Sequence, residues 1–284
     1  MNSSRQIVVS GGFDDIRAQD LRFLEEAAKL GELSVLVWPD GIIERLSGKL
    51  PKFPLAERLY FLNAVRYVSR VIPVEGAVSQ NELSAPLPLA KTLPAFANFR
   101  PQVWADVENS FNEARREFCA KNNLEYRVLS AAQLSGFPEP PPMPSTPGRK
   151  KVVATGCYDW FHSGHVRFTE EASAYGDLYV IVGHDANIRF LKGEGHPLLS
   201  EAERRYVVGS IKFVKQALIT SGQGWLDADP EIRKLRPDIY VVNEDGDKGG
   251  KREYCEKMGI EYLVLKRAPA PGLQKRSSTE LRGF

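Results

Sequence analysis

Short apolar runs alternate with amphipathic stretches through the second half of the chain. A short apolar run bounded by glycine or polar residues is typical of a buried strand. Such runs predict strands at KKVVAT (150–155), LYVIVG (178–183), DIYVVN (238–243) and EYLVLK (261–266). Helical spacing of apolar residues predicts helices over 165–175, 201–214 and 251–259. Because strands alternate with helices, the pattern predicts an α/β fold with a parallel sheet covered on both faces.

The first half of the chain repeats the pattern of the second. Residues 11–37 and 156–182 are identical at 11 of 27 positions, which include a glycine turn, RF-x-EEA and an apolar strand. Residues 116–129 and 252–265 are identical at 8 of 14 positions. Because the matches keep the same order, they indicate a duplicated domain rather than a short solenoid repeat. Two tandem Rossmann-like domains with parallel sheets are therefore expected.

A proline-rich stretch, SGFPEPPPMPSTPGRK (135–150), separates the two copies. Successive prolines remove backbone donors and fix φ, so this stretch is expected to form neither a helix nor a central strand. We predict a first domain over 1–134, a semi-rigid linker over 135–149 and a second domain over 150–284.

Composition limits the partners of the chain. Its 38 basic and 36 acidic residues give a net charge of +2, which favours neither nucleic acid nor a membrane as the main partner. No apolar run approaches the ~20 residues that span a bilayer, and the amino-terminal residues show no signal-peptide pattern. Three cysteines without CxxC spacing fit a reducing compartment, so we expect a cytoplasmic protein.

Two of the four histidines, His162 and His165, follow directly after the first strand of the second copy, with Gly164 between them. Ligands of parallel sheets bind at the carboxyl ends of the strands. A helix that begins there contributes free N–H groups, so two imidazoles and a helix start predict an anion site. A zinc site that also uses Asp159 is the alternative, but the glycine and a nearby basic loop suit phosphate better than metal.

Four segments of the second copy together resemble the cytidylyltransferase-like (HxGH) nucleotidyltransferase superfamily. They are GCYDWFHSGH (156–165), RFLKGEG (189–195), AERR (202–205) and KRSSTELR (275–282). The tandem arrangement is similar to that of phosphoethanolamine cytidylyltransferases, in which the first copy is the active one. Here the first copy has Arg17, Gln19 and Asp20 at the positions of His162, Gly164 and His165, so we expect an inactive first domain.

The resemblance implies transfer of a nucleoside monophosphate from a nucleoside triphosphate to a phosphorylated small molecule, with release of pyrophosphate. Mg²⁺ is the implied cofactor, and CTP is favoured over ATP as co-substrate. The implied catalytic residues are His162, His165, Lys192 and Arg276. The implied nucleotide-binding residues are Gly156, Cys157, Tyr158, Gly164, Asn243, Asp245, Ser277, Ser278 and Thr279. The implied acceptor-binding residues are Asp159, Trp160, His184 and Arg204, and no metal ligands are predicted.

Several of these residues also admit plainer interpretations. Asp159 could cap a turn, because its counterpart Asp14 persists in the first copy. Lys192, His184 and Arg204 could be solvated polar side chains. A non-catalytic nucleotide-binding sensor or scaffold is the alternative function. For the first copy, roles in packing, in forming a homodimer or in covering the second copy's site stay open.

Overall fold

A computed structural model describes residues 5–74, 100–111 and 113–282 of the chain. The chain divides into two compact units after Gly136. The described residues contain no helix that is both long enough and apolar enough to cross a membrane.

The first unit contains a five-stranded parallel sheet with the strand order β3-β2-β1-β4-β5. Its strands are β1 Gln6–Gly11, β2 Glu32–Val37, β3 Arg70–Pro73, β4 Val103–Val107 and β5 Glu125–Leu129. Its described helices are α1 Ala18–Ala28, α2 Asp40–Ser47, α3 Leu55–Ala64 and α4 Glu113–Lys121.

The second unit repeats this sheet, with the order β10-β9-β6-β7-β8 and parallel pairing throughout. Its strands are β6 Lys151–Gly156, β7 Asp177–Val182, β8 Val214–Ile219, β9 Ile239–Asn243 and β10 Glu261–Leu265. Its helices are α5 Ser163–Ser173, α6 Asp185–Lys192, α7 Glu201–Gly209, α8 Asp229–Leu235, α9 Lys251–Met258 and α10 Ser278–Arg282. The predicted α/β fold with two parallel sheets is confirmed.

Burial of both sheet faces explains why the strands are continuous apolar runs. In β6, Val152, Val153 and Ala154 are all fully buried. Val153 packs on one face in a cluster with Ile232 of α8 and Cys255 of α9. The helix predicted over 251–259 ends as expected, because Gly259 takes the left-handed conformation that closes it, at φ +67°.

One predicted helix is too long. We expected a single helix over 201–214, but α7 ends at Gly209 and Val214 begins the unpredicted strand β8. The backbone N–H and the hydroxyl of Ser210 both donate to the carbonyl of Tyr206 and close the helix. Within β8, Val214 and Ala217 are the buried positions, and this spacing of three imitates a helical pattern.

The proline-rich segment makes defined contacts inside the second unit. The N–H of Met143 donates to the carbonyl of Lys215 in the edge strand β8 at 2.8 Å. The N–H of Thr146 donates to the buried carboxylate of Asp177 at 2.6 Å. A Cβ on Gly209 would lie 2.6 Å from the ring of Pro140. This segment therefore covers part of β8, while the predicted limits of domain and linker stay predictions.

Candidate functional site

The candidate site is built on the loop that joins β6 to α5. Tyr158 in this loop adopts a left-handed conformation with φ +55°. Its ring lies against Gly156, where a Cβ would come within 2.9 Å of Cε2. A glycine at the end of β6 is therefore required for the loop to turn and deliver His162 to the start of α5.

Both histidine rings are oriented by backbone N–H groups. Nδ1 of His162 accepts from the N–H of Gly164 at 3.1 Å, and Nδ1 of His165 accepts from the N–H of His162 at 3.3 Å. Because Nδ1 accepts in each ring, these bonds assign the proton of the neutral ring to Nε2. The ring centroids are 4.1 Å apart, so the two imidazoles form one pair of donors.

His165 is neutral at physiological pH. Removal of the ring from water lowers its pKa to about 4, and the positive charge of Arg267 contributes in the same direction. The site therefore offers a hydrogen-bond donor at this position without a titrating charge.

Gly164 is needed because of His162. A Cβ at position 164 would lie 2.9 Å from Cε1 and 3.0 Å from Nδ1 of the His162 ring. The sequence predicts that this glycine suits phosphate, and the position of the His162 ring gives a second reason for a glycine here.

We expect Gly164→Ala to displace the His162 ring and weaken the bond from the residue 164 N–H. The loss of one such bond costs about 1 kcal/mol of unfolding free energy. Turnover should fall by about tenfold, because the His162 donor moves. Denaturant unfolding measures the loss of stability, and pyrophosphate-release kinetics measure the loss of turnover. Gln19→Ala, at the matching position of the first unit, is the control and should leave turnover unchanged. Unchanged turnover of Gly164→Ala would contradict the role of this glycine.

Arg267 is a site residue that the sequence analysis missed. It follows β10, and its Nη1 donates to Oδ2 of Asp245 at 2.6 Å while Nη2 donates to the carbonyl of Arg276 at 3.2 Å. It lines the cavity beside the histidines together with Asn243 and Asp245. A basic residue just after the last strand of a parallel sheet was the available signal, since strand carboxyl ends form the ligand edge.

The cavity beside the histidines, termed here the histidine cavity, has a volume of about 170 Å³. A smaller cavity adjoins it, shares Gly164, Asn243 and Arg267 with it, and reaches Arg276. The predicted residues that line the histidine cavity are Gly156, Cys157, Tyr158, His162, Gly164, His165, Asn243 and Asp245.

The segment around Arg276 lies beside the histidine loop. The hydroxyl of Ser278 donates to the carbonyl of Trp160 at 3.1 Å, which ties the start of α10 to the loop. Ser277 and Thr279 belong to the same turn, because the N–H of Leu281 donates to the carbonyl of Ser277. Serine and threonine therefore begin a helix beside the histidine loop.

Two predicted acceptor-binding residues, Asp159 and His184, form structural hydrogen bonds. The carboxylate of Asp159 accepts from the N–H groups of Leu198 and Leu199 at 2.9–3.0 Å. His184 caps α6: Nδ1 accepts from the N–H of Asn187, and Nε2 bonds to the carbonyl of Gly222 at 2.8 Å. These bonds agree with the structural interpretation of Asp159, whereas His184 caps a helix and is not the solvated side chain that was its alternative.

Arg204 is fully buried and does not form the solvated surface charge that we offered as its plainer alternative. Its guanidinium donates to the carbonyls of Leu199 and Cys157 and to the carboxylate of Asp185. These bonds hold the histidine loop against the segment before α7. The predicted acceptor contact would require this side chain to leave its present partners.

Lys192 is not among the residues that line either cavity. We placed it in a basic loop, whereas it is the exposed last residue of α6, followed by Gly193 with φ +88°. Its catalytic role stays a prediction.

The first unit keeps the loop and the helix start of the site but has Arg17 and Asp20 at the positions of the two histidines. The N–H of Arg17 donates to Oδ2 of Asp20 at 2.8 Å, as His162 does to His165. A cavity of about 370 Å³ at this edge is lined by Asp20, Asp106 and Glu108, so it presents carboxylates where the second unit presents imidazoles. Asp106 is paired with Arg115, which leaves Asp20 and Glu108 as unfavourable neighbours for a triphosphate at this edge.

A parallel sheet with an imidazole pair, a helix start and a basic residue at its ligand edge defines a nucleotide-binding domain of the nucleotidyltransferase class. The family model "Cytidylyltransferase-like" matches residues 153–284. The chain belongs to this cytidylyltransferase-like family, with its second unit carrying the match.

Relatives of the chain support the same assignment. An FAD synthase from Ferroglobus placidus is 39% identical over 120 residues, which are 41% of this chain and 75% of that protein. An FAD synthase from Aciduliprofundum boonei is 35% identical, covering 47% of this chain and 84% of that protein. The bifunctional protein HldE from Campylobacter curvus is 33% identical over 61% of this chain, but the chain spans only 33% of the length of that protein.

Proposed function

We propose that the second unit transfers AMP from ATP to the phosphate group of a small molecule. The acceptor phosphate oxygen forms a bond to the α-phosphorus, the bond from that phosphorus to the bridging oxygen breaks, and pyrophosphate leaves with the electron pair. The observation that carries the proposal is the pair of Nε2–H donors, His162 and His165, placed with Arg267 around one cavity at the carboxyl ends of the strands.

No general base is required. A phosphate monoester has a second pKa of about 6, so the acceptor is mostly a dianion at neutral pH. Catalysis then depends on position and on stabilising charge at the phosphate oxygens. His162 and His165 would donate to oxygens at the α-phosphorus and next to it, and the low pKa of His165 keeps that ring a neutral donor.

Positive charge for the leaving pyrophosphate would come from the basic segment after β10. Arg267 lines both cavities and Arg276 lines the smaller one. The N–H groups at the start of α5 add a partial positive charge. Lys192, at the end of α6, stays a further predicted source of positive charge.

Mg²⁺ fits this arrangement as a companion of the nucleotide. Among the described residues that line the histidine cavity, Asp245 is the acidic one, and Mg²⁺ commonly takes one carboxylate besides phosphate oxygens. Mg²⁺ would neutralise phosphate charge when it is bound.

The relatives favour ATP over the CTP that the sequence analysis preferred. The name FAD synthase specifies a product that contains an adenine nucleotide, and the chain covers 75% of one such protein. We also propose a phosphorylated small molecule as the acceptor, a homodimer and a cytoplasmic location.

Pyrophosphate release tests the proposal directly. We expect release with ATP, and less with CTP, GTP or UTP, when a panel of phosphate monoesters is supplied with Mg²⁺. The product should contain one AMP per pyrophosphate, as measured by mass spectrometry. ATP binding without turnover across the panel would instead identify the nucleotide-binding sensor.

Arg267→Lys should lower kcat/KM for ATP by about tenfold. Lysine keeps the charge but cannot reproduce the planar fork that bonds to Asp245 and the carbonyl of Arg276. Steady-state kinetics with varied ATP measure the effect. Arg233→Lys, which alters an exposed pair with Asp229, is the matched control. Equal kinetics for both variants would remove Arg267 from the site.

A further inference from the structure

Thr155 is a polar residue that lines the histidine cavity and that the sequence analysis did not single out. It stands near the carboxyl end of β6, directly before Gly156. A β-branched residue is ordinary in a strand, so its presence there assigns no role by itself. Its hydroxyl group, however, bonds to a buried tyrosine of the neighbouring strand.

The hydroxyl groups of Thr155 and Tyr240 are 2.6 Å apart, across the pairing of β6 with β9. Tyr240 is 3% exposed, and among the described residues Thr155 is the only hydrogen-bond partner of its hydroxyl. Burial raises the pKa of Tyr240 to about 12, so the phenol keeps its proton at neutral pH. A buried O–H group donates to the acceptor within its reach, because an unmade bond costs free energy. Tyr240 therefore donates to Thr155.

The bond with Tyr240 leaves the proton of the Thr155 hydroxyl available. A hydroxyl group carries one O–H donor and accepts through its lone pairs. Thr155 uses a lone pair for Tyr240, and its side chain has no second partner in the part of the chain that the structure describes. Because Thr155 lines the histidine cavity, its O–H group is able to donate to a ligand there.

The first unit has the same arrangement with a donor of fixed polarity. Ser10 stands at the position of Thr155, directly before the glycine that ends β1. The indole N–H of Trp38 lies 2.7 Å from the Ser10 hydroxyl oxygen. An indole N–H only donates, so Ser10 is the acceptor. The first unit therefore supports the same polarity for the hydroxyl of Thr155.

We propose that the Thr155 hydroxyl donates a hydrogen bond to a phosphate oxygen of ATP, and that Tyr240 positions it. The proposal rests on the proposed function and adds a binding residue to that site. His162 and His165 present their Nε2–H donors at the same cavity, and a charged phosphate oxygen accepts several hydrogen bonds. A donor whose orientation is fixed before the substrate arrives stabilises charge without reorganisation.

The test uses Thr155→Val, which removes the hydroxyl and keeps the shape of the side chain. We expect kcat/KM for ATP to fall by at least about tenfold, because a hydrogen bond to a charged group is lost. Thr155→Ser keeps the hydroxyl and should recover most of that loss. Ser10→Ala removes the corresponding hydroxyl of the first unit and is the control, with kcat/KM for ATP unchanged.

A double variant separates binding from stability. Thr155→Val leaves the buried hydroxyl of Tyr240 without its acceptor and should lower the free energy of unfolding. Thr155→Val/Tyr240→Phe removes both hydroxyls and should restore that free energy, but kcat/KM for ATP should stay as low as in Thr155→Val. Tyr240→Phe alone should lower kcat/KM less, because the Thr155 donor is still present and has only lost its fixed orientation.

Unchanged kcat/KM in Thr155→Val would overturn this inference and leave the proposed function intact, as would recovery of kcat/KM in the double variant. Calorimetric titration with ATP and Mg²⁺ keeps the two failures distinct. Absence of turnover with every acceptor would sink the proposed function, while weaker ATP binding by the double variant than by Tyr240→Phe would still support this inference. Equal ATP affinity of those two variants would overturn it.

Discussion

Replacing His165 by alanine should lower kcat for pyrophosphate release by about 100- to 1,000-fold. Removal of one preorganised donor that faces developing charge typically has an effect of this size. His165 is held by the N–H of His162 and stacks on Phe161 at 5.2 Å between ring centroids, so its donor is fixed before the substrate arrives. His165→Asn retains an N–H donor and should lose less.

Asp20→Ala provides the matched control, because Asp20 forms the same capping bond in the first unit. It should leave pyrophosphate release unchanged. If His165→Ala and Asp20→Ala have equal activity, the imidazole pair has no part in the chemistry.

The same residue fixes the expected pH dependence. With the pKa of His165 lowered to about 4, the ring does not change charge between pH 5 and 8. The decline in kcat/KM toward low pH should then follow the second pKa of the acceptor phosphate, about 6, and should move when an acceptor of different pKa is used. A decline near the ordinary histidine pKa that occurs with every acceptor and disappears in His165→Asn would contradict the neutral His165 donor.

The residues that the sequence identified best are those whose chemistry is local. Gly156, His162, Gly164 and His165 lie within ten consecutive positions, and the strand, turn and helix start that they require are also short-range features. The duplication helped, since two copies of one pattern make each strand and helix assignment more secure. Both sheets are parallel, as the repeated pattern predicted.

The features that the sequence did not reveal depend on distant partners. His184 was assigned to the acceptor because it follows a strand, yet Gly222, far along the chain, accepts its Nε2–H. Arg267 was missed because its neighbours Asp245 and Arg276 are brought to it only by the pairing of β9 with β10. Strand β8 was missed because Val214 was included in the helix predicted over 201–214, and the polar residues Lys215 and Gln216 interrupt the apolar run that follows.

Arg204→Met should destabilise the second unit by about 3 kcal/mol. The guanidinium is fully buried, and its removal leaves the carbonyls of Leu199 and Cys157 and the carboxylate of Asp185 without their donor. Breaking a buried pair at one partner typically costs about 3–5 kcal/mol, and the partial exposure of Asp185 places the estimate at the lower end. Hydrogen exchange within α5 and α7, compared with the unchanged protein, measures the loss.

Arg58 supplies the matched variant in the first unit. It is 2% exposed and donates to the carbonyls of Phe53, Gly12 and Trp38 and to Asp40, so Arg58→Met should destabilise the first unit by a similar amount.

The two variants should differ in activity at temperatures where both are folded. Arg204→Met should slow pyrophosphate release, because the carbonyl of Cys157 that the Arg204 side chain holds belongs to the histidine loop. Arg58→Met should not, since it holds the corresponding loop of the unit without histidines. Equal losses of turnover in the two variants would show that this arginine acts on overall stability and not by positioning the catalytic loop.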